Sequence, residues 1–116
     1  MSGRDSGARG EMIALGALKK TGYVLVEKNY RAQRCEIDLI MRDGPTLVFV
    51  EVKARSGQGY GLGREAVDAR KQAHIVKAAQ LYLVKNDSAD TPVRFDVVEV
   101  DLNTGDTVHI IDAFSA

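Results

Sequence analysis

Two apolar runs facing each other across a glycine-proline turn constrain this chain more than any other feature. They are Cys35-Glu36-Ile37-Asp38-Leu39-Ile40 and Leu47-Val48-Phe49-Val50-Glu51-Val52-Lys53, with Arg42-Asp43-Gly44-Pro45 between them. Short β-branched runs bounded by turn residues read as strands, and two of them around such a turn read as a hairpin. Charge enters at alternate positions, and a strand alternates its faces with period two. Glu36 and Asp38 therefore share one face, as do Glu51 and Lys53. A hairpin symmetric about Gly44-Pro45 sets Asp38 opposite Glu51 and Glu36 opposite Lys53. Opposed residues have Cβ atoms roughly 4.5–5.5 Å apart, close enough for two carboxylates to share one cation. Like charges so placed need a neutralising group, and Lys53, Arg55 or a divalent metal would serve.

The remaining elements surround that hairpin. A first helix is expected from about Ala8 to Lys20, with Asp5 or Ser6 near its start and Gly22 ending it. Its apolar stripe is Ala14, Leu15 and Leu18, and Glu11 falls on the same stripe. Either Glu11 points inward toward a partner, or it sits in the first turn, where the helix dipole favours a carboxylate. Tyr23 to Glu27 reads as a strand. Ser56 to Gly63 is glycine-rich but lacks the lysine of a phosphate-binding loop, and reads as a mobile loop beside a groove or as a plain connection. A second helix is expected from about Arg64 to Lys85, with Val67, Ile75, Ala78 and Tyr82 inward. Lys71 lies on that stripe, and either snorkels to the edge or aims its ammonium at an anion. Val93 to Asp101 reads as a strand with Phe95, Val97 and Glu99 on one face and Arg94, Asp96, Val98 and Val100 on the other. Asn103-Thr104-Gly105-Asp106 turns into a last strand, Thr107 to Ile111. The order α-β-β-β-α-β-β, with a crossover helix joining parallel strands, gives an α/β fold: a mixed β-sheet flanked by helices.

At 116 residues the chain reads as one domain, residues 1–116. No apolar run approaches the roughly 20 residues that span a bilayer, so no membrane association is expected. The N-terminus lacks the apolar core of a secretory signal, and a lone Cys35 suits a reducing cytoplasm. Net charge is +0, which does not by itself point to nucleic acid. Basic residues nevertheless flank the hairpin: Lys28, Arg31 and Arg34 before it, Arg55, Arg64, Arg70 and Lys71 after it.

Metal-assisted phosphodiester hydrolysis needs carboxylates to hold the cation, and magnesium often takes only one or two from the protein. Asp38 and Glu51 meet that need, with the Val52 carbonyl completing the shell around Mg2+ or Mn2+. Lys53, on the same face as Glu51, would orient water or stabilise negative charge on a phosphate. Glu36 and Glu11 are further ligand candidates. The plainer alternative is a cross-strand salt bridge such as Glu36–Lys53, worth a few tenths of a kcal/mol. His74 and His109 lack metal-ligand spacing with Cys35.

Gly10-Glu11, Asn29-Tyr30-Arg31, Glu36-Ile37-Asp38-Leu39-Ile40, Val48 through Arg55, Glu65-Ala66-Val67 with Lys71-Gln72, Arg94 through Val98 and Ala113-Phe114 together resemble the YraN family of small, largely uncharacterised bacterial proteins. The resemblance runs in order over almost the whole chain. Cys35 stands where the family usually has glycine, and Gly63 where proline is common. The family is similar in turn to restriction-endonuclease-like and Holliday-junction-resolvase folds. That similarity implies Asp38, Glu51 and Lys53 as a nuclease triad with Glu11 as an added acid.

Two functional classes follow. One is a metal-dependent nuclease acting on DNA, branched or otherwise structured, with Arg31, Arg34, Arg55 and Arg64 meeting the nucleic acid and a homodimer serving to cut two strands. The other is a non-catalytic module on the same fold that binds nucleic acid or protein. A structural ion-pair cluster is the third and plainest reading.

Overall fold

The computed structural model describes residues 3–56 and 67–116. Its elements are α1 (Gly3–Lys20), β1 (Val24–Ala32), β2 (Cys35–Asp43), β3 (Thr46–Arg55), α2 (Ala69–Lys85), β4 (Val93–Asp101) and β5 (Thr107–Phe114). The sheet runs β1-β2-β3-β4-β5. Only β3 and β4, the pair joined through α2, are parallel; the other neighbours are antiparallel. This is the expected α-β-β-β-α-β-β order on a mixed sheet.

Several boundaries differ from the sequence expectation; the last strand, for one, runs to Phe114 rather than Ile111. The first helix begins at Gly3, five residues before Ala8. The second begins at Ala69 rather than Arg64, because Asp68 is in extended conformation and caps it, accepting from the Lys71 amide at 2.8 Å. The first strand continues to Ala32 and returns through Gln33-Arg34, both at positive φ (49° and 67°), so Asn29-Tyr30-Arg31 is strand. Arg64 and the glycine-rich segment beyond Ser56 lie outside the described residues.

The sheet buries a core on each face. Under α2 lie Tyr30, Ile37, Ile40, Phe49, Phe95 and Val97, met by Ile75, Ala78, Ala79 and Tyr82. Under α1 lie Leu39, Met41, Val48, Val50, Val98 and Val100, met by Ala14 and Leu18. Gly10 lets α1 settle onto β3: a Cβ there would stand 2.6 Å from the Ala54 Cβ.

The α1 face also buries one charge. The side chain of Asp96 is fully inaccessible and accepts from Arg94 at 2.9 and 3.1 Å, from the Asp112 amide at 3.0 Å, and lies 2.7 Å from His109 Nε2. Arg94 also reaches Asp43 at 3.2 Å and the Tyr23 hydroxyl. Burial alone would raise the Asp96 pKa, but the hydrogen bonds from His109, Arg94 and the Asp112 amide outweigh it and hold the carboxyl below its ordinary value. The network ties β2, β4 and β5 to Tyr23, just before β1.

Candidate metal centre at the β2–β3 splay

The hairpin register is the expected one from Asp43↔Thr46 to Leu39↔Val50. Gly44 opens the two-residue turn at φ 58°, the conformation that a leading glycine supplies. The next pair in that register would be Asp38 with Glu51, and there the ladder stops. Asp38 Oδ2 instead accepts the Val52 amide at 2.8 Å, a side chain taking the place of a carbonyl.

Strict alternation fails at the same point. Ile37 and Ile40, three residues apart, both pack under α2, whereas Leu39 packs under α1. On the neighbouring strand the pairing skips from Lys28↔Leu39 to Tyr30↔Ile37, and Asn29 between them sits at φ 52°. Asparagine tolerates this left-handed conformation better than most residues. The expected Glu36–Lys53 pair does not form; Glu36 pairs with Arg31 across β1–β2 at 2.7 Å. Glu36 and Asp38 therefore lead to different partners, contrary to the simple period-two reading.

Glu51 is the centre of the cluster. It is 4% exposed on a strand between two apolar neighbours. Lys53 Nζ lies 3.9 Å and Lys71 Nζ 3.7 Å from the same oxygen, Oε2. The other oxygen, Oε1, is buried with no hydrogen-bond partner among the described residues. Asp38 stands beside Glu51, but a carboxylate only accepts, so that contact becomes a hydrogen bond when Glu51 carries a proton. Burial first, then the Asp38 charge and the hydrogen bond shared with it, push the Glu51 pKa up to about 8 against the pull of Lys71 and Lys53. Lys71 stays partly exposed, with its ammonium 3.7 Å from this acid.

Glu11 reaches the same place from α1. Burial raises its pKa, Asp38 and Glu36 add to the rise, and the Asn29 side chain and Lys28 oppose it. With α1 starting at Gly3, Glu11 is two turns in, so the first-turn dipole does not explain its placement. The other sequence candidates are less central. Arg31 is exposed and engaged with Glu36, Arg34 occupies the hairpin turn, and Arg55 ends β3 beside Asp101.

Sequence reasoning passed over two positions. Asn29, visible only as part of a motif, hydrogen-bonds Glu11 and bends β1 at the splay. Glu99, fully buried, stands beside Lys53 in the parallel β3–β4 register. Its signal was an acid on the Phe95–Val97 face of an otherwise apolar strand.

Two adjacent acids, one of them buried with a bare oxygen, form a donor set that suits a hard divalent cation. Among the described residues no group of three His, Cys, Asp or Glu is arranged around a common point, so such an ion would keep several non-protein ligands. Fold and site thus define a small mixed-sheet α/β protein with a candidate cation site where its central hairpin splays. The chain belongs to the family described as "Uncharacterised protein family UPF0102", which matches residues 10–100 and is the YraN family of the motif resemblance. A UPF0102 protein of Acetivibrio thermocellus is 49% identical over 109 residues, covering 92% of this chain and 84% of that protein. One from Clostridioides difficile strain 630 is 40% identical over 114 residues, covering 98% of this chain and 100% of its own length. One from Clostridium botulinum strain 657 is 46% identical over 102 residues, 87% of this chain and 83% of that protein.

Proposed function

We propose that this chain is a metal-dependent nuclease that hydrolyses phosphodiester bonds in DNA, with branched or structured DNA as the preferred class. The observation that carries the reading is Glu51: a buried acid set beside Asp38, with a lysine two residues on along the same strand. Asp38 and Glu51 would hold Mg2+ or Mn2+, with the Val52 carbonyl as a third protein ligand and Glu11 and Glu36 as outer acids. When bound, such an ion supplies Lewis acidity toward a phosphate oxygen. Lys53 places a compact positive charge where negative charge grows on the phosphate during displacement. The Val52 amide fixes the Asp38 carboxylate, so that acid is pre-oriented rather than recruited.

The arrangement supports a restriction-endonuclease-like reading of the fold, with acids on the splayed strands and the lysine beyond. Arg31, Arg34, Arg55 and Arg64 are the proposed nucleic-acid contacts. A homodimer would present two such sites to two strands, and the cytoplasm is the proposed compartment. No helix among the described residues is long and apolar enough to cross a membrane.

A second reading, a non-catalytic module binding nucleic acid or protein, draws on the net charge of +0, which leaves little general attraction for a polyanion. Labelled single-stranded, duplex and four-way-junction DNA incubated with Mg2+ or Mn2+ decides between them. The nuclease reading expects cleavage by the wild type and its loss in Asp38→Ala. Cleavage that persists unchanged in Asp38→Ala refutes the site. No cleavage of any substrate, with no metal binding by calorimetry, favours the binding module.

A further inference from the structure

Two ammonium groups converge on one oxygen of Glu51. Lys53 comes from the same strand, but Lys71 comes from α2, and its side chain is still 39% exposed. On its solvent side Lys71 lines a depression of about 240 Å³ with Asp68, Arg70 and His74. Asp68 is already committed to capping α2, which leaves the Lys71 and Arg70 cations and the His74 ring to meet a ligand there. Lys71 therefore spans a buried acid and an open basic notch.

We propose that Lys71 is a placeholder cation: it lies against Glu51 in the metal-free protein and turns to the notch beside Arg70 and His74 to hold a phosphate of the substrate strand. This deepens the nuclease reading and rests on it. A fixed ammonium 3.7 Å from Glu51 repels any divalent ion that shares the carboxylate. Swinging the flexible lysine stem outward relieves that repulsion and supplies a compact cation to the phosphate.

The test compares wild type, Lys71→Met, Lys71→Arg and the exposed control Lys77→Met, each confirmed folded by its thermal melt. Mn2+ affinity is read by isothermal titration calorimetry. Affinity for a labelled DNA duplex is read by anisotropy in Ca2+, to hold the complex without turnover. Lys71→Met should bind Mn2+ about tenfold more tightly yet lose most of the Ca2+-dependent gain in DNA affinity. Lys71→Arg should keep that gain, and Lys77→Met should match wild type in both. Unchanged or weaker Mn2+ binding by Lys71→Met overturns the placeholder role while leaving the metal site standing. If Mn2+ affinity rises but DNA affinity is untouched, the phosphate-holding half is wrong. No Mn2+ binding by wild type sinks the nuclease reading and this proposal together.

Discussion

Replacing Glu51 with glutamine should make the metal-free protein more stable at alkaline pH. A carboxyl that titrates at 4.5 in the unfolded chain and at about 8 in the folded one binds more protons when folded. Stability therefore falls as pH rises from 4.5 to 8, and is fully present only below that window. The difference amounts to roughly 4–5 kcal/mol for one group. The attraction of Lys53 and Lys71 is already contained in that pKa, so it does not offset the loss a second time. Glutamine keeps the shape, presents an oxygen to the lysines and an amide to Asp38, and has nothing to titrate. In EDTA, urea unfolding followed by far-ultraviolet circular dichroism should give similar free energies for wild type and Glu51→Gln at pH 5. At pH 9 the variant should lead by several kcal/mol, or about 15 °C or more in Tm for a domain of this size. Parallel pH profiles for the two proteins would refute the claim that burial and Asp38 outweigh the two lysines at Glu51.

Divalent metal should narrow that lead. At free Mn2+ near 100 times its Kd, wild type should gain about 2.7 kcal/mol and Glu51→Gln almost nothing, read by thermal shift at pH 7.5. Asp96→Asn should cost about 3–5 kcal/mol at pH 7, because it leaves Arg94 short of its buried partner. Since Asp96 titrates below its ordinary 3.8, that gap should close only as pH falls below about 3.8, and a loss under 1 kcal/mol at pH 7 would count against the network. Gly10→Ala should destabilise by about 1–3 kcal/mol despite the better helix residue, because its Cβ meets Ala54 at 2.6 Å. Ala54→Gly in the same chain should restore the loss, as measured by urea midpoints.

Much of this architecture was legible from periodicity and turn chemistry. The Gly44-Pro45 turn set the β2–β3 register, and Val93–Asp101 was delimited correctly because its neighbours are turn-rich and its faces alternate. Helix starts were harder to read. Nothing local marks Gly3-Arg4-Asp5 as helical, and the cap at Asp68 competes with several polar residues before it. The β1–β2 hairpin was hidden because its turn, Gln33-Arg34, has none of the asparagine or glycine that positive φ usually recruits. At the site, the acids and Lys53 could be nominated from parity and resemblance, whereas the contact of Lys71 with Glu51 could only be left open.

The sequence by itself determined the register of the central hairpin from its turn to Leu39↔Val50, since strand period and turn length are local properties. Only the tertiary structure decided what the acids of the site meet. The splay at Asp38 and Asn29 sends Glu36 to Arg31, the close approach allowed by Gly10 accompanies Glu11 reaching Asp38, and α2 carries Lys71 to Glu51. Each depends on how separate elements pack, and packing distance is not encoded in the spacing of any one segment. Burial made the difference to Glu51 itself: the same residue on an open strand would be an ordinary surface acid, and beneath α2 it is an acid that holds its proton despite two nearby lysines.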